Sequence, residues 1–263
     1  MPISMMSKPK QSDSVSSATA QTAADNILCL EQVHTHIGEY HILQGVDFAV
    51  PRGELFVLLG RNGAGKSTCL RTIMGLWKAS AGQILYQGRP IHTCTTPDIA
   101  QQGIAYVPEN MGIFSALTVQ ENLRLAAIQG PIDQARLEWI FGFFPALKKF
   151  WNYPAGNLSG GQKQMVAIAR AIIEPRQLIL VDEPSKGLSP AMVQNLIDAF
   201  AELKAAHTSI ILVEQNFEFV RGLGDQVAVM DDGRIVHRGS MKELAEDEAL
   251  QTRLLGLSMA SHQ

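Results

Sequence analysis

Nowhere does this 263-residue chain carry the run of about 20 apolar residues that a membrane-crossing helix requires. Apolar runs such as residues 55–59 and 210–213 have the length of strands. Cysteine is sparse. Cys29, Cys69 and Cys94 are odd in number and far apart, which argues against a disulfide framework or zinc knuckle and fits a reducing compartment. Positive charge is not in excess either: 22 Lys and Arg against 25 Asp and Glu give a formal net charge of −3. There is thus no electrostatic reason to expect nucleic acid as a partner. Internal repeats are missing, as are coiled-coil heptads. Residues 1–26 lack the continuous apolar core of a secretory signal; being rich in Ser, Ala, Thr and Gln, they are expected to form a disordered tail.

What is present from residue 27 onward is a series of short apolar runs separated by turn signals, expected to form one domain over 27–257 followed by a short tail at 258–263. Residues 27–36 alternate and read as a strand. Residues 47–50, the turn Pro51-Arg52-Gly53 and residues 54–59 read as a hairpin leading into a buried strand. Residues 66–75 are expected to be helical, with short strands at 83–86 and 104–107. Residues 118–150 read as mainly helical, and 161–173 as a further helix that buries Met165, Val166, Ile168, Ala169 and Ile172. Residues 178–181 and 209–213 are buried strands of the parallel kind. Helices are expected at 190–205 and 217–223, and Asp231-Asp232-Gly233 reads as a hairpin turn between two last strands. Strands alternating with helices predict an α/β fold around a parallel sheet, with residues of about 115–172 as an inserted helical lobe.

Gly60-Arg61-Asn62-Gly63-Ala64-Gly65-Lys66-Ser67 fits G-x-x-x-x-G-K-[ST] at every fixed position, after a buried strand and before a helix. The chemistry explains the residue types. Glycines let backbone N–H groups wrap phosphates, and the helix N-terminus adds a positive dipole end. Lys66 can reach the β- and γ-phosphates of ATP, Ser67 can ligand Mg²⁺, and Thr68 continues the cradle. Asp182 and Glu183 end a buried strand, where ligands of parallel sheets sit. Asp182 would hold Mg²⁺ through its water shell, and Glu183 would orient or deprotonate the attacking water. Ser159-Gly160-Gly161-Gln162, opening another helix, makes a second anion-binding end without a second lysine. One cradle and one half-cradle on a single chain suggest a head-to-tail pair, each half-cradle closing on the partner's nucleotide.

Together these residues resemble the ABC ATPase family over roughly residues 27–257, with Leu158-Ser159-Gly160-Gly161-Gln162 as its signature. The resemblance implies a P-loop cassette: a mixed, largely parallel core with antiparallel N-terminal strands and a helical lobe. Within the family the chain looks like the smaller ATPase of branched-chain amino-acid importers. That closer match rests on Val107-Pro108-Glu109, Thr118-Val119-Gln120-Glu121-Asn122-Leu123, Pro184-Ser185-Lys186-Gly187-Leu188 and Leu212-Val213-Glu214-Gln215-Asn216. The Q-loop position, a metal contact, is Glu109 instead of Gln. The switch position is Gln215 instead of His, and the D-loop position is Ser189 instead of Asp. Gln215 can donate to a γ-phosphate but cannot titrate. The adenine-stacking position falls on Ile37, with Tyr40 as replacement candidate. The resemblance further implies two permease subunits, a second ATPase, an external solute-binding protein, and a peripheral place on the cytoplasmic face of the membrane. An ATPase for urea or amide import, or for iron–sulfur assembly, is the alternative. His34, His36 and His41 read as an ordinary strand edge, and most of the aromatics of the helical stretch read as core.

Overall fold

The structure is a computed structural model and describes residues 25–256. The tail expected over residues 1–26 therefore lies outside the described residues except for its last two, and the tail at 258–263 lies outside them entirely. Among the described residues, ten strands form two sheets. Strands β1 (Asn26–Ile37), β2 (Tyr40–Pro51), β4 (Ala79–Tyr86) and β5 (Arg89–Pro90) make an antiparallel sheet in the order β2-β1-β4-β5. The second sheet runs β10-β9-β3-β8-β7-β6 and consists of β3 (Leu55–Leu59), β6 (Ile104–Val107), β7 (Leu178–Asp182), β8 (Ser209–Glu214), β9 (Gln226–Asp231) and β10 (Arg234–Ser240). It is parallel from β9 through β6, with β10 antiparallel at one edge. The fold is α/β, as expected.

The hairpin expected over residues 47–59 does not form. β2 pairs with β1 through the two-residue turn Gly38-Glu39, whereas β3 lies in the other sheet between β8 and β9. The reason is burial. All five residues of β3 are buried, so the strand needs cover on both faces and takes a central parallel place. The turn at residues 51–53 instead carries the chain from one sheet to the other. Strand β4 also begins earlier than its apolar residues suggest, because Ala79 and Ala81 pair with Thr35 and His34 of β1.

The helices follow their start signals. Helix α1 (Lys66–Ile73) leaves the phosphate loop, and α2 (Thr96–Gln101) opens on a Thr95/Asp98 capping box. The helical lobe holds α3 (Val119–Ala126), α4 (Gln134–Phe143), α5 (Pro145–Lys149) and α6 (Gly160–Ile172), with capping boxes at Thr118/Glu121 and Ser159/Gln162. Then come α7 (Pro190–Ala205), α8 (Phe217–Val220), α9 (Met241–Glu246) and α10 (Glu248–Leu255). α2, α9 and α10 are not among the helices expected from the sequence, although Ser240 and Glu243 supply the same S-x-x-E signal. Met165, Val166, Ile168, Ala169 and Ile172 of α6 are all buried.

Two apolar cores result. One lies between the two sheets and includes Leu28, Val46, Leu58, Leu70 and Val213. The other joins the opposite face of the parallel sheet to the helical lobe, through residues such as Val57, Ile168, Val181 and Leu196. The lobe aromatics serve this second core: Phe141 and Phe144 are buried, and Trp139, Phe143, Phe150 and Trp151 pack against it half-buried. The parallel sheet, held on both faces, presents the C-terminal ends of β3, β7 and β8 side by side.

Candidate functional site

The loop after β3 wraps a cavity of about 350 Å³ lined by Asn62, Gly63, Gly65, Lys66, Ser67 and Thr68, with Ile42, Glu109 and Glu183 opposite. Two glycines are dictated by space. A Cβ on Gly60 would collide with the Met230 carbonyl oxygen, and one on Gly65, at φ 104, would stand 3.2 Å from Leu43. Arg61 and Ala64 brace the loop from behind: the Ala64 N–H donates to the Arg61 carbonyl (3.2 Å), and the Ala64 carbonyl accepts from Gly233 (2.9 Å). Lys66 is 4% exposed. Its ammonium donates to the carbonyls of Gly60 (2.8 Å) and Arg61 (3.0 Å) and lies 3.4 Å from Glu183 Oε1. A buried cation that meets two carbonyls and one carboxylate, beside a glycine-rich loop that opens a helix, is suited to receive an anion.

Asp182 is fully buried at the end of β7. The Ser67 hydroxyl donates to its Oδ1 (2.9 Å) and the Tyr106 phenol to its Oδ2 (3.4 Å). Burial raises the Asp182 pKa above the ordinary value; the Ser67 hydrogen bond opposes the rise and the Glu183 charge adds to it. The Tyr106 phenol is pushed up to about 12, chiefly by burial and then by the Asp182 charge. A hydroxyl and a carboxylate meeting beside a phosphate cradle form the hard-oxygen pair that suits Mg²⁺. The residues fit that ion.

Glu183 follows with φ 45, a left-handed backbone that costs a non-glycine residue energy. Its N–H donates to the Val213 carbonyl (2.9 Å), and its side chain is 9% exposed. The Gln215 amide donates to Glu183 Oε1 (2.7 Å) and to Asn62 Oδ1 (2.5 Å), so the switch residue ties the acid to the phosphate loop. Glu109 reaches the cavity from the segment after β6 and pairs with Lys186 at 2.6 Å.

Three neighbours were not anticipated. Ile42 lines the cavity, whereas Ile37 and Tyr40 do not; they sit at the turn end of the β1–β2 hairpin, with Tyr40 76% exposed. Glu214 is buried at the end of β8 and accepts from the backbone N–H groups of Ser185 (2.9 Å), Gln215 (3.2 Å) and Asn216 (3.4 Å). Desolvation raises its pKa, and these hydrogen bonds oppose the rise. The signal for Glu214 is the one that marks Asp182: an acid ending an apolar strand. Lys186 has no such signal.

Ser159, Gly160, Gly161 and Gln162 lie outside this cavity. The Ser159 N–H donates to Gln162 Oε1 (2.9 Å) and the Gln162 N–H to Ser159 Oγ (3.3 Å), which fixes the start of α6. Gly160 is exposed, and a Cβ there would meet nothing within 4 Å, so nothing among the described residues requires a glycine.

Residues 43–186, spanning phosphate loop, half-cradle and both acids, match the ABC transporter family. The chain belongs to that family. This ABC cassette is 36% identical to the high-affinity branched-chain amino acid transport ATP-binding protein BraG of Pseudomonas aeruginosa, over 88% of the chain and 100% of that protein. It is 35% identical to the methionine import ATP-binding protein MetN of Rhizobium johnstonii, over 85% of the chain and 64% of that protein. Among solved structures, the ADP conformation of MJ1267, an ATP-binding cassette of an ABC transporter, superposes with a TM-score of 0.74 at 27% identity, covering 88% of this chain and 99% of that one. The cassette is an ATP-binding transport ATPase.

Proposed function

We propose that this cassette powers uptake of branched-chain amino acids or a related small polar solute, as one half of an ATPase pair docked on two permease subunits at the cytoplasmic face. The reading of the solute is carried by the likeness to BraG along that protein's whole length. The reading of the pair is carried by Gly160: an exposed glycine with open space around it has its reason in another molecule.

Within the pair, Lys66 exchanges its carbonyl contacts for β- and γ-phosphate oxygens, leaving Glu183 Oε1 free of its 3.4 Å ion pair. Glu183, held by Gln215, then takes the proton of the attacking water while the Gln215 amide faces the γ-phosphate. Ser67, Asp182 and Glu109 would hold Mg²⁺, which would neutralise charge on the phosphates. The half-cradle of the partner closes over the nucleotide and excludes water. Ile42, with Tyr40 or Ile37 from the same hairpin, contacts the base by packing rather than by a full aromatic stack.

The permease contacts a groove of about 630 Å³ between the helical lobe and the segment after β6, lined in part by Leu76, Met111, Ile128 and Arg170. Leu76 and Ile128 are more than half exposed there. Arg170 links its two walls: its guanidinium donates to the Gly112 carbonyl (2.5 Å) and lies 5.0 Å from the Phe114 ring centre. The segment after Glu109 is thereby fastened to the helix that carries the half-cradle.

The test is co-expression with the genes that flank this one, reconstitution in vesicles, and uptake of labelled leucine, valine, methionine and urea. ATP-dependent leucine or valine uptake supports the reading. Uptake of methionine or urea alone moves the assignment to that solute.

A further inference from the structure

Four side chains, three lining the cavity and Lys186 beside them, alternate in charge. Lys66 lies 3.4 Å from Glu183, Glu183 lies 3.9 Å from Lys186, and Lys186 lies 2.6 Å from Glu109. Lys66 belongs to the phosphate loop, but Lys186 arrives from the turn between β7 and α7, where its backbone N–H donates to the Glu183 carbonyl (3.4 Å). Unlike Lys66, at 4% exposure, the Lys186 side chain is 62% exposed, and that of Glu109 is 40%. A pair this open to water adds little to the stability of the fold. Its placement is more informative: Lys186 is clamped on the one carboxylate that reaches the cavity from the segment after β6.

We infer that Lys186 is a positioning residue that occupies Glu109 until a divalent cation arrives with the nucleotide, so that ammonium and cation compete for one carboxylate. The inference rests on the proposed place of Glu109 in the Mg²⁺ site. The physical reason is like-charge repulsion: a carboxylate shared by both would hold an ammonium and a dication about 5 Å apart, which is costly at a partly screened site. The dication, with twice the charge, prevails once Ser67, Asp182 and phosphate oxygens join it. Lys186 then moves into solvent, which its exposure permits. The latch thus sets how much Mg²⁺ the cassette needs and loosens the segment running from Glu109 to Phe114 only when Mg²⁺ and nucleotide are both present. Arg170 fastens that segment to α6, so release of Glu109 is felt at the half-cradle helix.

The experiment uses the full chain stripped of metal, with a fluorescent ATP analogue at fixed concentration, and reads bound nucleotide as Mg²⁺ is added. Lys186→Met should lower the half-saturating Mg²⁺ concentration about threefold, the factor an exposed pair carries; Lys186→Arg should match the wild type. The Lys186→Met effect should fade at roughly 0.5 M salt, where screening acts within a few Å. Glu109→Gln should weaken Mg²⁺ binding, and adding Lys186→Met to it should change nothing more. A Lys186→Met titration that coincides with the wild type while Glu109→Gln is weakened overturns the latch alone. An unchanged Glu109→Gln titration overturns the role of Glu109 and the latch with it. Weaker analogue binding by Lys186→Met in excess chelator would make Lys186 a phosphate ligand, which also overturns the latch.

Discussion

Glu183, the proposed base, carries at residue scale the backbone strain of this site. Its φ of 45 is kept because Val213, Lys66 and Gln215 all hold the residue in place. Replacing it by Gln preserves the contacts of one oxygen but removes the base. Glu183→Gln is expected to keep nucleotide binding and slow single-turnover hydrolysis at least ~100-fold; a similar rate for variant and wild type would remove Glu183 from the chemistry. Glu214 acts differently, as a buried fastener under the loops of Glu183 and Gln215. Glu214→Gln keeps one accepting oxygen but turns an N–H₂ toward at least one of the three backbone N–H groups, and should cost about 1–3 kcal/mol in urea unfolding. Because burial raises the Glu214 pKa above its ordinary 4.5, the native state keeps a proton that the unfolded chain releases. The wild type's margin over Glu214→Gln is therefore full below about pH 4.5 and falls as pH rises through the raised native value. A margin that grows with pH would contradict this sign.

At the scale of elements, helix α6 carries the clearest division of labour. Its capping box, Ser159 with Gln162, satisfies the first turn within the chain, while Gly160 leaves open space over the same turn. Gly160→Asp is accordingly expected to leave the isolated chain folded, with a melting temperature within a few degrees of wild type, because no neighbour obstructs a side chain. In the assembled pair the same carboxylate would face the partner's γ-phosphate at short range and block that site. Nucleotide binding at the variant's own Lys66 cavity should persist. Loss of binding at its own cavity, or full turnover of the pair, would place the half-cradle elsewhere. Strand β2 teaches the complementary lesson. Its apolar end and the Pro51-Arg52-Gly53 turn suggest pairing with β3, yet β3 is buried on both faces and has two parallel neighbours already. The usable signal is Gly38-Glu39, whose Gly38 takes φ 58 at the turn that pairs Ile37 with Tyr40.

At the scale of the whole molecule, the two sheets and the helical lobe bring the groups of the proposed phosphate site together but leave Ser159–Gln162 outside it. The lone chain is expected to bind ATP and hydrolyse it slowly, with turnover rising at least tenfold on assembly with its permease and second ATPase as water is excluded. A steady-state ATPase assay of the chain alone and of the co-purified complex checks this, and a lone monomer at full turnover would contradict the pair. Short windows of sequence are enough for the chemistry whose groups are contiguous: the phosphate loop, the strand that ends in Asp182 with Glu183 next to it, and the capped start of α6. Each is made by backbone N–H groups of a few successive residues or by one apolar run, so a short window of chain specifies it. Tertiary structure alone decided the sheet that receives β2, the cover of the cavity by Ile42, and the meeting of Lys186 with Glu109 across 77 residues of chain. Such contacts depend on which strands become neighbours in a sheet. That choice is made by burial on both faces of β3, β7 and β8 together, and no single window of sequence contains it.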